Sequence, residues 1–318
     1  MTLGETMVVM VPQRRGSLDS VDLFKKDFGG AESNLAIGLA RLGHRAAWIS
    51  SLGDDPFGRY IYGRLLAEGV EVSQVNIDPH HPTGLYIKEF SDGSDGIGTK
   101  VYYYRSDSAA SHLVIDDQVL LKYSAARYLF VTGITPALGV ESHEIVLKVI
   151  AQARQLGIKI VFDPNLRLKL WNIEEARNTL DVVARLADIV LSGLGEAQLL
   201  TGAGSAQQAA RAYLDRGAEI VVIKLEARGA YFETESERGT VPAFTVEAVD
   251  EIGAGDAFDA GLLSGLLDGL ALPGAVERGC ALGALVVTVP SDHAALPNRQ
   301  DLQRFMATAG RSSDVCNL

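Results

Sequence analysis

Cysteine is nearly absent from this sequence. Two residues, Cys280 and Cys316, cannot build a disulfide framework in a chain of 318 residues, and Cys280 lies in an apolar segment that reads as core. No charged-then-apolar leader pattern opens the chain, so the expected compartment is the cytoplasm. No apolar run approaches the ~20 residues needed to cross a bilayer. Positive charge is in deficit. The formal net charge of −11 argues against nucleic acid or an anionic membrane as partner, and any anionic ligand must be drawn by a local basic pocket. The six histidines are scattered without metal-ligand spacing, and His80-His81 reads as a solvated loop. There is no Gly-Lys-Ser or Gly-Lys-Thr of a Walker loop. Nor does a Gly-x-Gly-x-x-Gly mark the first strand-to-helix turn, so a Rossmann-type dehydrogenase is set aside. Internal repeats, low-complexity tracts and flexible linkers are missing too.

What is present is an ordinary globular composition, 47% hydrophobic and 22% charged, with length for a sizeable core. Strand and helix patterns alternate: a strand over Thr2 to Val11, a helix through Leu35 to Leu42 closed by Gly43, a strand at Ala46 to Leu52, and a helix from Gly58 to Gly69. The rhythm resumes with strands at Ala126 to Thr132, Lys159 to Phe162, Ile189 to Leu191 and Ile220 to Leu225. Helices are expected at Ser142 to Leu156, Glu174 to Leu186 and Ala275 to Val287. This order predicts an α/β fold: a mostly parallel central sheet with helices on both faces. Two segments break the rhythm. Residues 12–27 are polar without helical period, and 71–112 are hairpin-rich, with a turn signal at Asp92-Gly93-Ser94; together they predict a small β-sheet lid on a single domain spanning 1–318.

One stretch carries chemistry. Asp250 to Gly261 places Gly253, Ala254 and Gly255 directly before a helical run through Phe258, Leu262, Leu263, Leu266 and Leu267. Unobstructed backbone N–H groups at a helix N-terminus make an anion site, since the free donors and the helix dipole point the same way. Asp256 stands within that site. A carboxylate there suits a base that takes a hydroxyl proton while the amides stabilise a transferring phosphoryl group. The same residues also fit a tight turn with Asp256 as a cap.

Other residues fit a polyol and an anion. Gly29-Gly30 precedes the first helix, where a ligand can approach the backbone, and Asn34 in its first turn offers both donor and acceptor. In Val101-Tyr102-Tyr103-Tyr104-Arg105, alternation puts Tyr103 and Arg105 on one face, to cover a ligand, and Tyr102 and Tyr104 on the other, to pack. Tyr86 offers a further hydroxyl. Arg105 and Arg167 offer planar forks suited to a carboxylate. Arg167 follows Asp163-Pro164-Asn165 at the C-terminal end of a strand, where open α/β sheets bind ligands.

These motifs resemble the ribokinase-like (PfkB) family of sugar kinases. Gly30-Ala31-Glu32-Ser33-Asn34, Gly53-Asp54-Asp55-Pro56-Phe57-Gly58 and Gly253-Ala254-Gly255-Asp256 occur in that family's order. Tyr103 to Leu113, and Asp163 to Arg167 followed by Trp171, look like its 2-keto-3-deoxygluconate kinase branch. The resemblance implies an ATP- and Mg2+-dependent kinase that phosphorylates a sugar acid on a primary hydroxyl; the exposed lid sheet points to a homo-oligomer. The alternatives are a fructokinase or other neutral-sugar kinase, and a non-catalytic sugar-binding protein on the same scaffold. Asp256 would be the base, with Gly253, Ala254 and Gly255 as anion hole. Gly30, Asn34, Tyr86, Tyr103, Arg105, Asn165 and Arg167 would meet the sugar acid; Ser192, Lys224 and Gly229 would meet the nucleotide, and Glu196 the metal through water. Three positions depart from the family: Glu251 for Thr, Gly193 for Asn, and Glu226 for Gly beside the nucleotide.

Overall fold

The computed structural model describes residues 1–91, 98–116 and 119–311. The turn expected at Asp92-Gly93-Ser94, and Cys316, lie outside them. In chain order the first strands are β1 (Thr2–Leu3), β2 (Met7–Pro12), β3 (Phe24–Gly29), β4 (Trp48–Gly53), β5 (Val75–Asp78), β6 (Leu85–Ser91) and β7 (Gly98–Tyr104). They are followed by β8 (Tyr128–Thr132), β9 (Lys159–Asp163), β10 (Ile189–Gly193), β11 (Ile220–Lys224), β12 (Ala230–Glu233) and β13 (Arg238–Val241). The helices are α1 (Ala31–Arg41), α2 (Pro56–Ala67), α3 (Val140–Gln155), α4 (Ile173–Ala184), α5 (Leu194–Thr201), α6 (Ala206–Leu214), α7 (Ala254–Leu267), α8 (Leu272–Val286) and α9 (Arg299–Thr308).

The nine-stranded sheet runs β13-β12-β11-β10-β9-β8-β1-β4-β5, parallel from β11 to β5, with β12 and β13 added antiparallel. Buried side chains of α1, α2, α7, α8 and α9 form the core on one face, and those of α3 to α6 the core on the other. The α/β architecture read from the alternating pattern is therefore the one observed.

The second sheet, β3-β2-β6-β7, is the lid. Its inner face carries Met7, Val9, Val11, Tyr86 and Phe90, which form a small core of their own. The single strand expected over Thr2 to Val11 is two strands in two sheets. The chain breaks at Gly4, where the Glu32 side chain occupies the space that a Cβ would need. Residues 7–12 therefore join the lid, while Val75–Asp78, inside the segment expected to be lid, is the edge of the large sheet. The alternation in β7 is as expected, with Tyr103 half-buried, but Tyr102 and Tyr104 on the other face, expected to pack, are exposed.

The glycine and alanine content of α7 and α8 serves their mutual approach. A Cβ on Gly261 would lie 2.6 Å from the Arg278 carbonyl, and one on Gly265 would meet Ala275 at the same distance. Gly229 is needed for its backbone, with φ of +102° and the Val241 carbonyl where a side chain would begin. Gly229→Ala is expected to destabilise the chain by about 2 kcal/mol or more, read as a lowered urea midpoint at unchanged slope.

Candidate active site

Helix α7 opens on Gly253, whose φ of +87° is left-handed and whose missing side chain admits the Asp292 backbone, 2.5 Å from where a Cβ would lie. No side chain caps this first turn. The Ala254 N–H donates to the Glu251 carbonyl at 3.3 Å, so that amide is already engaged within the turn and is not the free donor expected of it. Gly253, Ala254 and Gly255 are half-buried, and Asp256 behind them is buried. Helix α1 packs beside α7, and Asn34 Nδ2 donates to Asp256 Oδ2 at 2.8 Å. Burial pushes the Asp256 carboxyl up to about 6, with Asp163 acting in the same direction and Asn34, Arg167 and Lys224 opposing. A carboxylate held there is a stronger base than an exposed one.

Beneath the helix start lies a charged cluster. Lys224 Nζ contacts Asp163 Oδ2 at 3.0 Å and Asp259 Oδ1 at 3.2 Å. Burial opposes the ammonium, but Asp163 and Asp259 outweigh it and hold Lys224 above its ordinary range. Burial drives the Asp259 carboxyl well upward. Asp259 escaped the sequence reading, although its place three residues after Asp256 puts both carboxylates on one face of α7.

On the lid side, Tyr86 is buried, its ring centroid 5.8 Å from that of half-buried Tyr103, and its hydroxyl donates to Asp292. Arg105 is buried and paired with Glu5, a carboxylate that sequence reasoning passed over. Ser108 donates to the same carboxylate. Six of eleven buried side-chain atoms without a hydrogen bond, among the described residues, are Glu5 Oε2, Thr6 Oγ1, Glu32 Oε2, Asn34 Oδ1, Arg105 Nε and Arg105 Nη2. The ion pair between Arg105 and Glu5 thus lacks hydrogen-bond alignment. Arg105 Nη2 and Glu5 Oε2 face each other in that pair; the other four atoms, Thr6 Oγ1, Glu32 Oε2, Asn34 Oδ1 and Arg105 Nε, fit a polyhydroxylated ligand that supplies the missing partners. At Gly30 the space that a Cβ would need is taken by the Glu5 carbonyl and by Thr6, so the close backbone approach there is made by the chain itself.

Arg167 and Asn165 follow β9. Asn165 takes a left-handed φ of +38°, and its N–H donates to Asp163 Oδ1 at 3.0 Å. Arg167 is partly exposed and stands 3.9 Å from Glu196 Oε1. Glu196 does not present a free carboxylate: it accepts from Leu166 N at 2.9 Å and from Gly193 N at 3.3 Å, tying β9's exit to the start of α5. Burial raises it. The residue expected to serve the metal through water thus acts here as a brace. Ser192 is fully buried, its hydroxyl donating to the Gly193 carbonyl, so its side chain is internal rather than part of an open cleft. Lys224 and Gly255 do meet, since a Cβ on Gly255 would lie 3.5 Å from Lys224 Nζ.

Two departures from the family pattern acquire a physical reading. Glu226 is exposed with φ of +56°, so the chain keeps the left-handed path that glycine would take there. Glu251 is exposed and contributes its carbonyl to the turn, a role open to any residue. Histidines separated in sequence also come together: His81, Asp107 and His112 place ligand atoms within 4.8 Å. The two rings lie stacked at 3.7 Å, with His81 Nδ1 against Asp78 and His112 Nε2 against Asp107.

The family model for pfkB family carbohydrate kinases matches residues 1–299. A 2-dehydro-3-deoxygluconokinase from Bacillus subtilis is 41% identical over 309 residues, covering 96% of this chain and 94% of that protein. A probable fructokinase from Arabidopsis thaliana is 31% identical over 316 residues, covering 96% and 95%. Among solved structures, a putative ribokinase from E. coli in complex with ATP and Mg2+ is 25% identical with a TM-score of 0.88, covering 96% and 98% of the two chains.

Glu32 offers a test of the site's electrostatics. Its buried carboxyl is raised from 4.5 to about 7, chiefly by burial, with hydrogen bonds from Thr132 and Thr135 opposing. A folded-state value above the unfolded one means that the native chain holds this proton more tightly, so Glu32 erodes stability as pH rises from 4.5 through 7. Glu32→Gln is therefore expected to stabilise the chain by an amount of order 3 kcal/mol at pH 8 and by little at pH 4, in urea titrations at the two values.

Proposed function

The chain belongs to the pfkB family of carbohydrate kinases, and from that premise we propose that it transfers the γ-phosphoryl group of ATP to the primary hydroxyl of 2-keto-3-deoxygluconate, giving the 6-phosphate. The observation that carries this reading is the buried Asp256 carboxylate, held by Asn34 beside an uncapped helix N-terminus and next to a nest of unsatisfied polar atoms. Asp256 accepts the hydroxyl proton as the sugar oxygen bonds to phosphorus and the bond to the ADP oxygen breaks. The amides of Gly253 and Gly255, with the α7 dipole, hold the charge on the transferring group. Mg2+ bound by the nucleotide phosphates supplies further charge neutralisation. Lys224, under Gly255, adds positive potential on the nucleotide side, and the turn through Gly229 lies at the end of the strand that carries Lys224. The lid sheet covers the sugar and keeps water from the phosphoryl group.

The sugar acid is favoured over a neutral sugar by Arg167 and by the Arg105 Nε–H, which has no hydrogen-bond partner. Arg105 has Glu5 as partner and Arg167 is partly exposed beside Glu196, so the preference for an acid rests on the planar fork of each guanidinium rather than on an unpaired buried charge. Gly30, Asn34, Asn165, Tyr86 and Tyr103 line the remainder. A binding protein without turnover would gain nothing from a base at position 256. The exposed Tyr102 and Tyr104 on the outer lid face suit a homo-oligomer built through that sheet. No helix among the described residues is long and apolar enough to cross a membrane, in keeping with a kinase working in the cytoplasm.

Asp256→Asn is expected to leave sugar-acid binding by calorimetry within a few-fold and to cut turnover by about 10²-fold or more. In the wild type, kcat/KM should rise with pH through about 6 as Asp256 loses its proton, and retained turnover in the variant removes Asp256 from the role. Arg167→Ala is expected to raise KM for the sugar acid at least about tenfold while leaving a neutral ketose unaffected. Equal losses on both substrates, in coupled ADP assays, would count against carboxylate recognition.

A further inference from the structure

Lys88 takes no part in the scheme above, yet it is completely buried. Its stem lies on lid strand β6, two residues beyond Tyr86 on the same face, and its ammonium donates to Asp250 Oδ2 and to Asp292 Oδ1, each at 2.6 Å. Neither carboxylate is remote from the phosphoryl site. Asp250 Oδ1 accepts from Ile252 N at 3.2 Å and from Thr99 Oγ1 at 3.0 Å, and so shapes the turn that enters Gly253. Asp292 packs its backbone against Gly253 and accepts the Tyr86 hydroxyl. One ammonium therefore joins the lid, the turn before the anion hole and the loop behind it. Burial opposes the charge, but Asp292 and Asp250 outweigh it and keep the ammonium above its ordinary range.

Two carboxylates beside a site for an incoming phosphoryl group are a poor choice unless something neutralises them, because they would repel it through a medium that screens weakly. A hydrophobic contact could fix the loops as well or better, since buried ion pairs are seldom retained for stability alone. The position of the charge is what a neutral contact could not supply. Resting on the kinase reading, we infer that Lys88 is a positioning residue for phosphoryl transfer: it offsets one of the two negative charges that Asp250 and Asp292 place behind the anion hole and registers Gly253 to the lid strand that carries Tyr86. Sugar contact at Tyr86 and assembly of the hole at Gly253 are then one network, running Tyr86, Asp292, Lys88, Asp250.

The test compares three variants, each first checked for native circular dichroism and a cooperative melt. Lys88→Ala leaves room for a small cation between the carboxylates. Lys88→Met fills that room without charge. Lys88→Met with Asp292→Asn keeps the net charge of the cluster, and relieves the repulsion that could unfold the single variants. All three are expected to lose at least about thirtyfold in kcat with the KM for ATP changed by less than about threefold. Ammonium or methylammonium chloride, against matched sodium chloride, should restore at least tenfold of the loss in Lys88→Ala and none in either methionine variant. Folded variants with wild-type kcat would overturn the inference, as would equal recovery in Lys88→Ala and Lys88→Met, or a Lys88→Ala that no amine restores. Wild-type enzyme assayed alongside on sugar acid and ATP separates this outcome from failure of the kinase reading, since without wild-type turnover it is the reaction assignment that falls.

Discussion

The hydrogen bond from Asn34 to Asp256 is the contact on which the site depends. It joins residues far apart in the chain, one in the first turn of α1 and the other in the first turn of α7, and it forms only because the two helices pack side by side on one face of the large sheet. Each helix begins beyond a glycine that another backbone crowds, Glu5 and Thr6 at Gly30 and Asp292 at Gly253. Side chains at those glycines would push the helix starts apart and separate the base from the polyol-facing residues. The apolar core beneath is thus what makes a polar geometry possible.

Around that contact, charge is arranged in layers. Asp256 is held by Asn34 at the start of α7, Lys224 sits under Gly255 between Asp163 and Asp259, and Lys88 lies behind between Asp250 and Asp292. Each buried lysine carries two carboxylate partners, so the local charge balance stays near neutral or slightly negative despite the need to hold phosphates. A chain with a net charge of −11 draws anions through hydrogen-bond donors and a few placed cations, not through a broad basic surface.

The sequence showed the fold well where periodicity and glycines spoke together. Alternating strands and helices gave the layered sheet, and Gly253 to Asp256 gave the helix terminus with a carboxylate in its first turn. It failed where a side chain's partner was distant in sequence. Nothing local to Arg105 marks Glu5 as its counter-ion, and nothing around Lys88 shows that a lysine in a lid strand is sealed from water. Thr2 to Val11 reads as one strand because apolar residues continue through it, while the break at Gly4 is imposed by Glu32 from another element. Glu196 adds a case of the same kind: its residue type suited a metal, and the two backbone amides that it also braces come from segments that no local pattern joins.

The divided N-terminal segment has a consequence for how the polypeptide is made. β1 sits between β4 and β8, so Thr2 and Leu3 are paired on one side with Phe130 and Val131, far later in the chain. That second neighbour is made only after the lid strands and the first two helices. The nascent chain must therefore keep β1 available through a long wait, with β2 and the unfinished lid attached close downstream, so the interval before β8 is made is the one in which this kinase is most exposed to mispairing.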